Sequence, residues 1–229
     1  MLRAIKKFVL KDIVLEIKDI RSLEHLRSLY KSYMPWTGAS IHPTALMYLL
    51  NDIILHQRKH IVECGSGIST IMIASLLKAN NHEARFYSVD HDEQWISILR
   101  NQLESLGVAD YVEFVHAPLT STEKGWSGTA EWYNTQVMDA AIDSTPIDLL
   151  FIDGPPANKG GNKHSRYPAL PYFATKVSDS ATIILDDSCR NAEMQIAERW
   201  NNEFRLNLKQ EILKGDIFLH TRLNRFNVL

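Results

Sequence analysis

From residue 60 onward, short apolar runs alternate with longer amphipathic stretches, and this alternation restricts the chain more than any other feature. Runs near 60–64, 85–90, 111–115, 147–153 and 181–186 read as strands, and stretches at about 68–79, 92–106, 166–178 and 189–202 read as helices. Parallel strands need long crossover connections, which helices supply, so the pattern predicts a mostly parallel α/β sheet with helices on both faces. The tail departs from it. Phe204 to Lys209 and Asp216 to His220 flank Lys214-Gly215 with no helix between them, which predicts a C-terminal antiparallel hairpin at the sheet edge. In an open sheet of this kind a ligand is expected at the carboxyl ends of the strands.

Residues 1–58 read differently. Leu23, Leu26 and Leu29-Tyr30 recur at helical spacing, and Ser40-Ile-His-Pro43 resembles a helix start before Thr44 to His56. With no evident linker after it, this segment is expected to be a helical cap on a domain spanning 59–229, the two forming one structural unit. Arg3, Lys6 and Lys7 precede Phe8-Val9-Leu10 in the manner of a secretion signal, but Lys11 and Asp12 end the apolar run too soon. No uninterrupted apolar run approaches the length of a membrane span. Cys64 and Cys189 lie far apart without metal-ligand spacing, as expected of reduced thiols in a cytoplasmic protein. The formal net charge of −2 argues against a general nucleic-acid or anionic-membrane binder.

The stretch HIVECGSGISTIMIASLL, residues 60–77, places Gly65 and Gly67 directly after a strand and before a helix. That is the context of a nucleotide-binding turn. A dinucleotide site prefers a third glycine at position 70 for pyrophosphate approach, and that residue is Thr70. Glu63 precedes the glycines, and Asp90 ends the next strand, where a carboxylate can accept from both hydroxyls of a ribose. Asp92 is the expected N-cap of the following helix. Trp95 and Trp126 are expected to pack.

These residues resemble the class I S-adenosylmethionine (SAM)-dependent methyltransferases. Glu63-Cys-Gly65-Ser66-Gly67-Ile-Ser69 is similar to their first motif, and Asp90 to the acidic end of their second strand. The resemblance covers roughly residues 60–220 and implies a Rossmann-like fold. It also implies that Gly65, Ser66, Gly67 and Ser69 approach the cofactor, with Glu63 near its amino-acid end and Asp90 on the ribose. His91 and Asp153 would border the same cofactor.

Ile147 to Asp153 is an apolar run that ends on an aspartate, and Ile183 to Asp186-Asp187 repeats this one strand later. Three acids at neighbouring strand ends repel one another unless a cation joins them, and hard oxygen donors suit Mg²⁺ or Ca²⁺. The arrangement is similar to metal-dependent O-methyltransferases acting on small molecules or sugars, which implies Asp153, Asp186 and Asp187 as ligands to Mg²⁺. The separate readings of turn-capping and helix-capping acids stay open. Amino-group methyltransferases carry an Asp/Asn-Pro-Pro-aromatic motif at this place. Here Gly154 intervenes and Ala157 follows the prolines, which disfavours that chemistry.

Ala157 to Pro168 carries Lys159, Lys163, His164 and Arg166 with no acid, so it reads either as a solvated loop or as a lid over an anionic acceptor. His164 is the candidate general base if no metal takes part, alongside Asp153. Arg166 and Arg190 are candidate substrate contacts. The expected activity is SAM-dependent methylation of a small-molecule or glycan hydroxyl. N-methylation, NAD-dependent oxidoreduction and a non-catalytic cofactor-binding module are the alternatives. A homodimer is left open.

Overall fold

A computed structural model describes residues 2–30, 32–34, 36–157, 162–211, 213 and 217–220. Helix α1 (Leu2–Leu26) leads through a short 3₁₀ turn (Arg27–Leu29) to α2 (Pro43–Leu55). There follow β1 (His60–Cys64), α3 (Ile68–Ala79), β2 (Arg85–Asp90), α4 (Glu93–Leu106) and β3 (Glu113–His116). Next come β4 (Leu119–Gly125), β5 (Gly128–Tyr133), α5 (Thr135–Ala141), β6 (Ile147–Ile152) and α6 (Ala169–Phe173). The chain closes with β7 (Val177–Leu185), α7 (Asn191–Phe204), β8 (Lys209–Glu211) and β9 (Ile217–His220).

Seven strands form one sheet in the order β3-β2-β1-β6-β7-β9-β8. The first five are parallel, and β9 and β8 run antiparallel at the edge. The strand order therefore reverses at β1, between β2 and β6, and a crevice opens at such a switch point. Successive residues of each strand feed opposite cores. Ile61, Leu149 and Phe151 join α2, α3 and α4 residues such as Leu49, Ile71 and Leu99 on one face. Val62, Leu150 and Ile152 join Met138, Leu170 and Trp200 of α5, α6 and α7 on the other.

The N-terminal segment shares the first of these cores: Leu26, Met34, Ile41 and Ile53 are buried against α3. Buried Arg58 adds a polar tie, donating from Nε to Asp52 of α2 at 2.7 Å and from Nη1 to the Ser180 carbonyl of β7 at 3.0 Å. Pro43 at the first turn of α2 fits its missing N–H, as the sequence indicates.

The structure departs from the sequence-based expectation in several places. The β4–β5 hairpin was not foreseen, because its burial pattern is largely exposed and lacks the alternation that marks a half-buried strand. The helix expected over 166–178 shrinks to Ala169–Phe173, and Val177 already belongs to β7. Helix α7 continues to Phe204, so the expected strand 204–209 begins only at Lys209. The hairpin turn at Lys214-Gly215 lies outside the described residues.

Candidate active site

The turn after β1 is held from below by side chains and touched from beside by backbone. Gly65 donates its N–H to the Val89 carbonyl at 2.8 Å, and the Asp153 N–H reaches the Cys64 carbonyl at 2.8 Å. Gly65 has φ +96°, and a Cβ there would lie 2.9 Å from the backbone of Asp153 and of Gly154. Glycine is thus demanded by conformation and by the approach of the β6 end. Gly67 differs: a Cβ there would meet nothing within 4 Å, so its bare backbone faces open space.

Thr70, where a dinucleotide site would carry glycine, accepts the Gly67 N–H at 2.9 Å and donates to Glu63 Oε2 at 2.5 Å. Ser88 donates to the same oxygen at 2.6 Å. Glu63 is fully buried beneath the turn and organises it through Thr70 instead of facing the crevice. Burial pushes its carboxyl up to about 7, against the hydroxyls of Ser69, Ser88 and Thr70, which favour the charged form.

Asp90, at the end of β2, accepts the Ser66 N–H on Oδ2 and the Asp92 N–H on Oδ1, each at 2.9 Å. Each oxygen keeps a lone pair for a further donor. Asp92 is the N-cap of α4, accepting from the Trp95 N–H at 3.0 Å. The Trp95 indole donates to the Ser66 carbonyl at 2.8 Å, which places the ring along the crevice beside Asp90. His91 lies with Nδ1 3.1 Å from Asp90 Oδ1.

The cavity between these elements has a volume of about 300 Å³ and is lined by Gly65, Ser66, Gly67, Ser69, Asp90, His91, Trp95 and Asp153. That is the lower end of the range for small-molecule sites. Sequence reading missed two of its walls. Thr37, Ser40 and Ile41 close it from the N-terminal segment, and Tyr133 enters from β5. Tyr133 is buried, and its hydroxyl has no hydrogen-bond partner among the described residues. A Cβ on Gly154 would strike that hydroxyl, so glycine at 154 makes room for it. Desolvation, with Asp90 nearby, pushes the phenol well above its ordinary value, so it stays a donor. The exposed pattern of β4–β5 carried no signal for it beyond the Trp132-Tyr133 pair.

At the far side the strand ends bring Asp153, Asp186 and Asp187 together, with one carboxylate oxygen from each within 4.8 Å of the others. Arg166 lies among them. Its Nη2 donates to Asp153 Oδ1 and to the Asp153 carbonyl, both at 2.9 Å, and lies 3.0 Å from Asp187 Oδ2. Its Nη1 donates to the Asp186 carbonyl at 3.1 Å. Arg190 reaches the same Asp187 oxygen at 2.7 Å, from a backbone turn in which Asp187 itself has φ +62°. Buried Glu193 stands 3.9 Å from both guanidinium groups. Burial pushes Asp153 up to about 6, with Arg166 opposing and Asp187 adding to it. Asp186 is driven well above the carboxylate range by burial and by its two acidic neighbours.

The donor set expected for Mg²⁺ is therefore assembled, but it does not fit the ion. Nη2 already bridges Asp153 Oδ1 and Asp187 Oδ2. An ion ligated by those two oxygens would need the place that Nη2 holds, 2.9 and 3.0 Å from them. Arg166 and Arg190, expected on the acceptor, are held by these acids. His164 is set apart from the crevice lining. Its ring stacks on Trp126 at 4.1 Å, and its Nε2 lies 2.7 Å from Gln195 Oε1. The segment read as solvated loop or lid is in part neither: Ser165 to Pro168 are buried, while 158–161 lie outside the described residues.

A five-stranded parallel sheet reversing at β1, a glycine turn at the reversal and a carboxylate on the next strand define the Rossmann-like methyltransferase arrangement. The chain belongs to the methyltransferase-domain family, whose model matches residues 62–188. Similar solved structures include the SAH-bound methyltransferase PaMTH1 of Podospora anserina, with 14% identity, a TM-score of 0.61, and 90% of this chain and 88% of that one covered. The O-methyltransferase TomG of Streptomyces achromogenes, involved in tomaymycin synthesis and solved with SAM, is 16% identical with a TM-score of 0.57, covering 82% and 91%. The O-methyltransferase of Bacillus cereus, solved with SAH, is 17% identical with a TM-score of 0.56 and 90% of each chain covered. At such identity these likenesses concern the fold. No curated protein matches the chain in sequence. Among the described residues no helix is long and apolar enough to cross a membrane, and neither Cys64 nor Cys189 enters a disulfide.

Proposed function

We propose that the protein transfers a methyl group from SAM to a hydroxyl of a small molecule or glycan in the cytoplasm. The observation that carries this is the open backbone at Gly67 beside Asp90, a cradle for an adenosine whose ribose hydroxyls donate to the carboxylate. Thr70 at the third-glycine position, and acids at both ends of the crevice, suit a nucleoside without phosphates. TomG, solved with SAM, and PaMTH1 and the Bacillus cereus enzyme, solved with SAH, agree with it.

The bound cofactor supplies an electrophilic methyl on a sulfonium. Trp95 and the Ser66–Gly67 backbone orient the nucleoside, and the walls from Tyr133, Gly154 and Ser40 exclude water. An acceptor hydroxyl placed against that methyl would attack it in line, the C–O bond forming as C–S breaks and the thioether leaving, and Asp153 would take the hydroxyl proton. A carboxylate lifted to about 6 is a better base near neutrality than an ordinary aspartate.

Titration with S-adenosylhomocysteine and, separately, with NAD tests the reading by thermal shift and calorimetry. S-adenosylhomocysteine should raise the melting temperature and NAD should leave it unchanged; binding of NAD alone would put an oxidoreductase in its place.

A further inference from the structure

We infer that Arg166 does in this chain what a divalent cation does in the metal-dependent enzymes its sequence resembles: it holds the carboxylates at the ends of β6 and β7 together, so that methyl transfer runs without a metal. The inference rests on the methyltransferase reading above for its consequence, but its geometry is independent of it. The Arg166 side chain is 4% exposed and makes contacts to both strand ends at once, to a carbonyl and a carboxylate of Asp153, to the Asp186 carbonyl and to the Asp187 carboxylate. Moving it aside to admit an ion breaks all of them together.

Its placement is built, not incidental. The neighbouring Ser165 hydroxyl lies within hydrogen-bond reach of the Pro155 and Pro156 carbonyls at 3.1 and 3.3 Å, and the Trp200 indole donates to the Tyr167 carbonyl at 3.1 Å. The backbone on both sides of Arg166 is thereby fixed to the β6 end and to α7. Among the described residues Glu193, fully buried, has no side-chain donor within hydrogen-bond distance of either carboxylate oxygen. Its charge is aimed at the two guanidinium groups, which makes sense where the resident cations are side chains. Arg166 is a positioning residue that acts through Asp153: its bond to Oδ1 fixes the carboxylate that receives the acceptor's proton.

The test is metal titration of the intact protein by calorimetry and thermal shift, after dialysis against EDTA. Wild type should show no binding heat with Mg²⁺ or Mn²⁺ and no change in melting temperature at about 10 mM ion. Arg166→Ala should melt lower and acquire a response, Mg²⁺ raising its melting temperature by about 3 °C. Millimolar guanidinium ion should restore part of the loss, and Arg166→Lys should fall between the two. A wild-type response to Mg²⁺ overturns the inference, whether or not the alanine variant folds. An Arg166→Ala protein that folds but answers neither Mg²⁺ nor guanidinium ion also overturns it. Because these readouts need no acceptor, they stay informative if S-adenosylhomocysteine fails to bind, which would instead sink the proposed activity.

Discussion

The two sides of the crevice solve one problem in different ways. Each ends a parallel strand on a carboxylate in a place with little water. At the β2 end, Asp90 is stabilised by main-chain N–H groups of Ser66 and Asp92, both close by along the turn and the chain. At the β6 and β7 ends, the acids are stabilised by guanidinium groups delivered from a separate segment and from the start of α7. Amide dipoles leave an anion with capacity for ligand hydrogen bonds; a buried cation uses that capacity and adds a charge whose removal is costly. The first side is suited to holding a neutral sugar, the second to fixing one carboxylate.

The sharpest break in this contrast is removal of the cation. Arg166→Ala leaves several acids buried without their main counter-charge and should destabilise the protein by roughly 3–5 kcal/mol in urea unfolding, whereas Asp90→Asn should cost about 1 kcal/mol. The binding order is reversed. Asp90→Asn should weaken S-adenosylhomocysteine roughly 10- to 100-fold by calorimetry, since a charged acceptor becomes a neutral one.

The paired glycines sharpen it next. Gly65→Ala forces a Cβ against the Asp153–Gly154 backbone and should cost on the order of 3 kcal/mol. Gly67→Ala should leave stability within about 1 kcal/mol, since its Cβ meets empty space, yet abolish cofactor binding. A Gly67→Ala protein that still binds S-adenosylhomocysteine at wild-type strength would show that the crevice is used differently.

Glu63 gives a pH-dependent version. Its folded pKa, about 7, lies above the ordinary carboxyl value, so the native state binds the extra proton. Its contribution is complete below the unfolded pKa and is lost as pH rises through about 7, a swing of roughly 3 kcal/mol. Glu63→Gln should flatten the urea midpoint across that interval. The smallest effect is expected at Tyr133: Tyr133→Phe removes a buried hydroxyl without a protein partner and should stabilise the free protein by about 1 kcal/mol. A fall in methyl transfer would then assign the hydroxyl to the loaded site.

Legibility in the sequence follows the same division. The sheet, the glycine turn, Asp90 and the Asp92 cap rest on local spacing, and local spacing is what a sequence displays. Asp153, Asp186 and Asp187 were readable as acids closing apolar runs, so their convergence followed from parallel pairing. Their partner was not readable. Arg166 sits in a basic stretch that looks solvated, and only tertiary packing of Ser165 and Tyr167 takes it inside. Tyr133 escaped because β4–β5 is too exposed for the periodicity of a core strand. Thr70 could have been found, since a hydroxyl at the missing third glycine is itself a signal.

The backbones of residues 65 and 154 meet with no side chain on either one. Such bare contact leaves no rotamer to take up a displacement, so a nucleoside that moves one loop should be felt by the other. Acceptor affinity and cofactor occupancy should then be linked through two residues that touch neither reactant's leaving group, and the fold offers the second substrate a finished seat once the first is in place.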